Sequence, residues 1–531
     1  MALKIREGGA RTSKRGALPV TKPSHQPTVE QAEILATPVR PGDVLLLNAY
    51  AGTGKTTTLE MYARAYPEKR FLYICFNRDN AEEARRKFPR NCDCRTTHSM
   101  AWQAVGRNFP EVASPRPRLV MDAFGISTPY LAVYVLDTLN RFLHSTDESL
   151  FPGHVECGPD TTEEQRAHVL GVAARLWEAM QDPARGELPM SHDGYLKLWA
   201  LGQPAFEGYD GIFLDEAQDT NPVTLGVVLS QVEARRAALV LVGDTHQSIY
   251  RWRHATDAMD AVRPQATHEL SLTESFRFGD GIAQDAALLL RYLKDDPVEL
   301  RGLRSSETTG DGGARLSYAV LGRTNAEILA AAMEKARDGM PIHFAATEAS
   351  RNWDPFVPYK FQMTLDVYRL WNDEASKVRD PYLKRFESYS ELEEHAVGEG
   401  SGGAGRDVEI ALQIELVETH GDEIPRLLDL LQTQATSPRE ARLSFSTAHR
   451  AKGREWDCVR ILGDFLEISD PELFEELDPG AFVEEVNLLY VSATRARSRI
   501  LYPDWLLSWI EEHQEDGAPD EHRIPIPDKE A

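Results

Sequence analysis

The stretch AYAGTGKTT, residues 49–57, constrains the fold of this chain more than any other part of its sequence. It follows the apolar run VLLLN and precedes a helix-forming segment, so the loop joins a buried strand to a helix N-terminus. Its glycines let the backbone approach phosphate oxygens that a Cβ atom would obstruct. The lysine supplies positive charge, the next threonine offers a hydroxyl to Mg²⁺, and the helix directs N–H groups at the anion. The pattern predicts an ATP-binding loop formed by Ala51, Gly52, Thr53, Gly54, Lys55, Thr56 and Thr57.

Short apolar runs, each ended by a polar turn, predict parallel sheets. The first half of the chain contains DVLLLNAY, RFLYICF, YDGIFLD and AALVLVGD. The pattern turns helical between about 98 and 200. A second strand-bearing region contains LSYAVLGRT, RLSFSTAHR and CVRILGDF, and a mostly helical insertion near 350–438 divides it. The expected fold class is therefore α/β, with two parallel-sheet regions flanked by helices and carrying helical insertions.

Length and composition indicate a globular protein of several domains. The 531 residues suggest two to four domains, and the 42% hydrophobic and 27% charged content is ordinary for a globular chain. No stretch approaches the roughly 20 apolar residues of a membrane span. The N-terminus lacks the apolar core of a secretory signal, so we expect a cytoplasmic location and no membrane partner. Cys92, Cys94 and His98 resemble metal ligands, but a fourth ligand at suitable spacing is missing.

The net charge of −24 argues against a purely electrostatic coat on DNA, because phosphate binding depends largely on Lys and Arg. A basic groove is still compatible with this total, because the local field depends on where the charges lie. Basic residues cluster at Arg78, Arg85, Arg86, Lys87, Arg90 and Arg95, and again at Arg495, Arg497 and Arg499. Taken alone, such clusters are more simply explained as solvated helix faces.

A phosphate loop needs an acid to hold the metal, and GIFLDEAQDT provides a candidate. Asp215 ends a buried run, where it would hold Mg²⁺ together with Thr56. Glu216 follows directly and would orient and deprotonate the attacking water. An isolated Asp-Glu pair is usually surface charge. At the end of an apolar strand, in a chain with a phosphate loop, the pair favours hydrolysis over a small-molecule kinase reaction.

The stretches LDEAQDTNP and LVGDTHQSIYRWR, together with AYAGTGKTT, resemble the UvrD/Rep family of superfamily 1 DNA helicases. Further motifs follow in the order of that family: TVEQAEIL, ICFNRDNAEEA, TTHSMAW, LTESFRF, STAHRAKGREWD and EEVNLLYVSATRAR. The resemblance covers about residues 28 to 503. NAYAGTGKTTTL, EEVNLLYVSATRA and YLKRFESYSELEEHA look closest to the helicase core of the F-box branch of the family, without an F-box.

The resemblance implies two RecA-like motor domains with ATP in the cleft between them. A basic arm expected to be disordered comes first and an acidic tail last. The expected segments are 1–27 for the arm, 28–97 plus 201–275 for the first motor domain, 98–200 for a helical 1B-like insertion, 276–349 plus 439–508 for the second motor domain, 350–438 for a reduced 2B-like insertion, and 509–531 for the tail.

The resemblance also assigns roles around the nucleotide. Gln31 would recognise adenine, Phe276 would stack on it, and Glu455 would contact the ribose. Gln247 would sense the γ-phosphate. Arg277 and Arg495 would act as arginine fingers, a role that contributes about 10³–10⁵ in rate in other NTPases. The simpler alternatives are a core phenylalanine and surface arginines.

For the DNA strand, the family precedent is a 3′→5′ motor that stacks bases on aromatic rings, each worth about 1–3 kcal/mol. The matching aromatic residues here are Phe76, Tyr250 and Trp252. The residues expected to hold phosphates or sugars are Asn77, Thr97, His98, Arg253 and His449. Core packing is the commoner role of an isolated aromatic residue. RNA also stays open as a substrate, because stacking and phosphate contacts do not select the sugar.

The chain departs from the family pattern at several places. Ala49 replaces the first glycine of the phosphate loop, Arg251 and His254 replace common glycines, and Asn487 replaces a common arginine. The second insertion is shorter than the regulatory domain of typical relatives, which puts autoinhibition, dimerisation and robust unwinding in doubt.

Three classes of function compete. The leading hypothesis is an ATP- and Mg²⁺-dependent translocase and helicase on single-stranded DNA or tailed duplexes, serving repair, recombination control or anti-phage defence. The alternative is a motor or sensor component that regulates a partner nuclease in a larger complex. A non-catalytic DNA-binding scaffold predicts decay of the hydrolytic residues, yet they are intact. These residues are Lys55, Thr56, Asp215, Glu216, Gln247, Arg277 and Arg495.

Overall fold

A computed structural model describes most of the chain between residues 26 and 514. The described ranges are 26–75, 78–158, 161–182, 188–249, 257–304, 316–345, 359–380, 382–397, 404–438, 440–441, 443–468 and 478–514. No helix in these ranges is long and apolar enough to cross a membrane. The predicted basic arm therefore falls almost entirely outside the described residues, as does most of the predicted acidic tail.

The described residues form thirteen strands and nineteen α-helices, numbered here in chain order. The strands are β1 Val44–Ala49, β2 Phe71–Ile74, β3 Cys92–Arg95, β4 Gly211–Asp215, β5 Ala238–Gly243, β6 His268–Leu272, β7 Glu274–Ser275, β8 Arg301–Gly302, β9 Tyr318–Gly322, β10 Ile342–Phe344, β11 Leu443–Thr447, β12 Trp456–Ile461 and β13 Ala496–Leu501. The first helices are α1 Val29–Leu35, α2 Lys55–Ala65, α3 Arg78–Lys87, α4 Thr97–Ala104, α5 Pro117–Phe124, α6 Pro129–His144, α7 Glu163–Met180, α8 His192–Leu201, α9 Pro222–Glu233 and α10 Ala258–Val262. The remaining helices are α11 Asp280–Lys294, α12 Asn325–Arg337, α13 Phe361–Trp371, α14 Tyr389–Val397, α15 Ala404–His420, α16 Ile424–Gln434, α17 Ala448–Ala451, α18 Pro479–Ala493 and α19 Asp504–Gln514.

The first sheet has six parallel strands in the order β3-β2-β4-β5-β1-β6. Alternate residues of its central strands point to opposite faces, as a pleated strand requires. In β1, Leu46 packs into the core that helices α5–α8 complete, whereas Leu45 and Leu47 pack into the core on the other face. Both faces are therefore covered, which explains why the central strands are continuous apolar runs.

The second sheet has five parallel strands in the order β10-β11-β9-β12-β13. Helices α11, α18 and α19 cover one part of it, and α12 together with α13–α16 forms a separate core on β9–β11. Two parallel sheets flanked by helices confirm the predicted α/β fold class. The predicted domain boundaries stay a prediction.

The carboxyl ends of parallel strands meet at one edge of a sheet, and this rule places the site. In the first sheet, the loops after β1, β2, β3, β4 and β5 all leave from the same edge. The phosphate loop and the Asp215–Glu216 pair follow β1 and β4, which are separated only by β5. The chain therefore brings them together across more than 150 residues of sequence.

Candidate nucleotide site and strand-binding residues

The phosphate loop has the backbone conformation that its glycines predict. Gly52 and Gly54 have φ values of 76° and 81°, in the left-handed region that glycine adopts without a Cβ penalty. Gly54 precedes the first residue of α2, and the hydroxyl of Thr53 donates to the carbonyl of Tyr50 at 2.8 Å. The loop therefore turns the chain from β1 into a helix N-terminus, where backbone N–H groups are available to an anion.

The loop also makes a close approach to the segment that follows β6. A Cβ built on Gly52 would lie 2.5 Å from the Oγ of Ser275 and 2.6 Å from the Cβ of Arg277. The backbone N–H of Phe276 donates to the carbonyl of Gly52 at 2.9 Å, and the Ser275 hydroxyl donates to the carbonyl of Ala51 at 2.9 Å. Position 52 therefore requires glycine for two reasons: its backbone is left-handed, and a Cβ atom would overlap Ser275 and Arg277.

The residues predicted to hold Mg²⁺ face each other. The hydroxyl of Thr56 donates to Oδ2 of Asp215 at 2.8 Å, and the hydroxyl of Tyr73 donates to the same oxygen at 2.5 Å. Burial, and then the adjacent Glu216 carboxylate, raise the pKa of Asp215. A buried carboxylate beside a threonine hydroxyl is an oxygen donor set of the kind that Mg²⁺ takes in phosphate sites, so these residues fit the ion.

Glu216 has the surroundings of an ionised base. Its carboxylate lies 3.4 Å from the Lys55 ammonium and accepts a hydrogen bond from the Gln218 amide at 2.6 Å. Burial opposes its ionisation, but the ammonium groups of Lys55 and Lys452 outweigh burial and lower the pKa of Glu216 to about 2. Its backbone is in the left-handed region, at φ 53°, which is unusual for a residue other than glycine. The two ammonium groups therefore keep the Glu216 carboxylate charged at neutral pH.

Lys55 remains a cation although it is buried. Burial disfavours its charged form, yet the carboxylates of Glu216, Asp244 and Asp215 outweigh burial and raise its pKa. Its ammonium group is therefore available as positive charge at the phosphate loop.

Arg495 and Gln247 join the two sheets at this site. The guanidinium of Arg495, only 1% exposed, donates to Oε1 of Gln247 at 3.2 Å and to the carbonyl of Val491 at 2.8 Å. Gln247 in turn donates to Oδ2 of Asp244 at 2.7 Å. Burial, and then the like charge of Arg277, lower the pKa of Arg495 to about 9. Arg495 is thus a buried cation that spans the sheets, and the surface-arginine alternative is wrong for it.

Arg277 is held at the same junction. Its guanidinium donates to Glu455 at 2.9 Å and to the carbonyl of Thr494 at 3.0 Å, and its side chain is 17% exposed. Glu455 also accepts from Arg497 at 3.1 Å. Burial favours the neutral acid, but Arg497 and Arg277 outweigh it and lower the pKa of Glu455. The carboxylate therefore bridges two arginines.

The residues predicted to face the adenine meet beside the loop. A Cβ on Gly54 would lie 3.5 Å from the amide nitrogen of Gln31 and 3.5 Å from the ring of Phe276. Gln31 is 2% exposed and donates to the hydroxyl of Thr58 at 3.0 Å, whereas Phe276 is 49% exposed. An exposed ring does not fit the core-phenylalanine alternative. Thr57, in contrast, lies on the exposed side of α2.

Five of the predicted DNA contacts lie outside the described residues: Phe76, Asn77, Tyr250, Trp252 and Arg253, as do the departures Arg251 and His254. Of the other three, Thr97 is buried and its hydroxyl shares a hydrogen bond with that of Thr224 at 3.2 Å. His98 lies 3.1 Å from a carboxylate oxygen of Asp193. His449 lies on α17, 3.9 Å from Glu484.

Sequence reasoning missed three residues that complete the site. The hydroxyl of Tyr490 accepts from the backbone N–H of Ala51 and donates to Asp244, each at 3.2 Å. Lys452 donates to Asp219 and to the carbonyl of Gln247. Gln218 bonds Glu216 and also accepts from the backbone N–H of Asp244 at 3.1 Å. All three lie inside the motifs that carry the family resemblance, which was the available signal.

Comparisons with known proteins agree with this geometry. The family model described as an AAA domain matches residues 31–253, and the model described as a UvrD-like helicase C-terminal domain matches residues 406–503. The chain is 32% identical over 515 residues to F-box DNA helicase 1 of Gallus gallus, covering 89% of this chain and 48% of that protein. It is 29% identical over 520 residues to F-box DNA helicase protein 1 of Schizosaccharomyces pombe, covering 90% of this chain and 57% of that protein.

A third protein matches the chain over a shorter stretch. The chain is 31% identical over 117 residues to one subunit of an ATP-dependent helicase/nuclease of Limosilactobacillus reuteri, covering 21% of this chain and 8% of that protein. The chain spans about half the length of the two F-box relatives.

Proposed function

Because the chain carries a UvrD-like helicase core, we propose that it is an ATP-dependent motor that moves 3′→5′ along single-stranded DNA and separates tailed duplexes. One observation carries the proposal. Lys55, Asp215 and Glu216 lie at the carboxyl edge of the first sheet, and Arg495, which directly precedes β13 of the second sheet, reaches Gln247 beside them. A nucleotide bound by residues from both sheets would hold the two sheets together. The sheets would then separate only after the nucleotide is hydrolysed.

The described residues divide the chemistry among them. Lys55 and the N-terminus of α2 would bind the phosphates, and Glu216, ionised at neutral pH, would take the proton of the attacking water. Arg495 and Arg277 would stabilise the charge that develops on the transferred phosphoryl group. Thr56 and Asp215 would hold Mg²⁺, which supplies charge neutralisation at the phosphates when it is bound.

Movement would follow from strand contacts on both sheets. His98 lies at the carboxyl edge of the first sheet, on α4 after β3, and His449 lies on α17 after β11 of the second. Opening and closing the nucleotide cleft would change the spacing between these contacts. Alternating grip on the two sides would then advance the chain along one strand per ATP.

The test is steady-state ATPase activity with and without single-stranded DNA, followed by unwinding of duplexes with a 3′ or a 5′ tail. We expect strong stimulation by DNA and unwinding only from the 3′ tail. Glu216→Gln should abolish both, whereas Glu233→Gln, an exposed carboxylate at the end of α9, should change neither. Hydrolysis that ignores DNA would overturn the proposal, and unwinding from the 5′ tail would overturn the direction.

We further propose that this motor acts in the cytoplasm in DNA repair, recombination control or anti-phage defence. Deletion of the gene should sensitise cells to DNA damage for the first two roles and to phage for the third. Unchanged survival under both challenges would exclude these roles.

A second candidate rests on the match to a protein whose name describes part of a helicase/nuclease. In this version the chain is a motor or sensor component, and its ATP hydrolysis regulates a partner nuclease. Purification of the protein from its native cells would then bring down a nuclease whose activity depends on Glu216. Recovery of a DNA-stimulated ATPase without an associated nuclease would exclude this candidate.

A further inference from the structure

A cavity of about 960 Å³ lies at the β3 edge of the first sheet, away from the nucleotide site. β3 is one edge of this sheet, whereas β1, which carries the phosphate loop, lies four strands away and next to the other edge. Residues from α3, β3 and α4 line the cavity. None of the residues assigned above to the nucleotide belongs to the lining.

The lining is rich in arginine. Arg85, Arg90 and Arg95 all contribute to it, and Asp93 is the lone carboxylate among the described residues that line the cavity. Asp93 is already engaged, because Arg70 contacts it at 3.2 Å and the Tyr209 hydroxyl donates to it at 2.7 Å. A concave surface with three guanidinium groups therefore persists in a chain whose net charge is −24. Such a field favours an anionic ligand.

Within the described residues, Arg85 and Arg95 use only part of their donor capacity. Arg85 uses Nε to donate to the carbonyl of Cys94 at 3.0 Å, and Arg95 uses Nη1 to donate to the Gln103 amide oxygen at 3.2 Å. Each guanidinium has five N–H donors, so these bonds leave others for a ligand. Guanidinium groups suit phosphate oxygens better than ammonium groups do, since they donate two parallel hydrogen bonds.

The cavity shares a helix with one of the predicted DNA contacts. Arg95 is the last residue of β3, and Ser99 and Gln103 lie on α4, the helix that also carries His98. The cavity therefore runs along β3, from Arg90 and Cys92 at the amino end of the strand to Arg95 at its carboxyl end. A strand bound at His98 would reach the cavity along α4, where Ser99 and Gln103 line it.

We propose that this cavity binds backbone phosphates of the single-stranded DNA beyond the part held by the motor cleft. The inference rests on the proposed function, because it extends the track of the same strand. The cavity would add affinity without sequence preference and would hold the strand while the cleft releases it. An acidic peptide of a partner protein is the competing ligand, and the test below separates the two.

The experiment measures the affinity of fluorescent oligonucleotides of about 8 and about 30 nucleotides at several salt concentrations. For single strands, each phosphate contact adds about 0.7 to the slope of log K against log[salt]. Changing Arg85, Arg90 and Arg95 together to Gln should therefore lower the slope for the long strand by about 2. The short strand, held within the cleft, should bind with an unchanged slope.

Two further variants guard against effects on folding. Gln103→Glu keeps every arginine and adds a carboxylate to the cavity wall on an exposed helix position, and it should also weaken binding of the long strand alone. The double variant Arg86→Gln with Lys87→Gln removes two charges from α3, the helix that carries Arg85, but outside the cavity lining. It should leave the slopes for both strands unchanged.

The outcomes are separable. If single-stranded DNA stimulates the ATPase of the wild type but the triple variant keeps the full slope for the long strand, the cavity is not part of the track and the proposed function stands. If the triple variant instead loses affinity for a poly-glutamate peptide and not for DNA, the ligand is an acidic peptide and the proposal is overturned. If DNA fails to stimulate the wild type, both proposals fall.

Discussion

Replacing Gly52 by alanine tests the phosphate loop at the position where conformation and contact coincide. The φ of 76° places an alanine in the left-handed region, which costs about 1–2 kcal/mol. The new Cβ would also lie 2.5 Å from the Ser275 hydroxyl oxygen and 2.6 Å from the Cβ of Arg277, so both must move. Overpacking of this kind adds about 1–3 kcal/mol. We expect Gly52→Ala to lower the free energy of unfolding by about 2–5 kcal/mol.

Gly125→Ala is the matched control. Its φ of 68° imposes the same left-handed penalty, but a Cβ there meets no atom within 4 Å. Urea unfolding should therefore show a loss of only about 1–2 kcal/mol for this variant. The difference between the two variants isolates the overlap with Ser275 and Arg277.

The same pair of variants tests whether the overlap also affects nucleotide binding. Displacement of Ser275 and Arg277 would disturb the hydrogen bonds that the loop carbonyls of Ala51 and Gly52 accept. Gly52→Ala should thus weaken binding of a fluorescent ATP analogue at least tenfold, and Gly125→Ala should leave it unchanged. Equal losses of stability in the two variants, with equal nucleotide affinity, would refute the close-contact reasoning.

Three other changes probe the junction of the sheets. Arg495→Ala should lower kcat of the ATPase about 10³–10⁵-fold with nucleotide binding retained, and a single-turnover loss below tenfold would contradict its role as a finger. Tyr490→Phe leaves the buried N–H of Ala51 without its acceptor and should cost about 1–3 kcal/mol in urea unfolding, against no change for Tyr130→Phe at an exposed position. Burial raises the pKa of Asp219 from 3.8 to about 6 against the opposing charge of Lys452, so its contribution to stability is complete below pH 3.8 and is lost as pH rises through 6. In urea unfolding, the free energy of unfolding of Asp219→Asn should therefore rise relative to that of the wild type by up to about 3 kcal/mol between pH 4 and 7. If the wild type instead becomes more stable than the variant as pH rises, the ion pair with Lys452 dominates.

The sequence predicted the central strands of both sheets but not all of their edges. β1, β2, β4 and β5 are buried on both faces and are therefore apolar runs, which are easily recognised. β6, with residues HELSL, is mostly exposed, and β3, with residues CDCR, buries only alternate side chains. An edge strand has one neighbour and less apolar surface to hide, so its sequence resembles a loop.

The candidate site shows the same division between local and distant information. Lys55, Thr56, Asp215 and Glu216 follow strand ends and could be named from short patterns. Their contacts could not be named in this way, because they depend on packing between the sheets. Tyr490 reaches Ala51 across 439 residues, and Lys452 reaches Asp219 across 233. Tyr490 lies in an apolar helix and Lys452 in a turn, and the residues around them in the sequence do not indicate which distant residues they contact.

The long span between Ala51 and Tyr490 has a consequence during synthesis. At about 5–20 residues per second, a ribosome needs about 20–90 s to extend the nascent chain from one to the other. In the later part of that interval, once β6 is complete at Leu272, the first sheet is able to fold with its phosphate loop formed while Arg495 is not yet made. A chain released early would thus retain the loop and lack Arg495, the proposed arginine finger. Interrupted translation is expected to yield fragments that sequester ATP and do not turn it over.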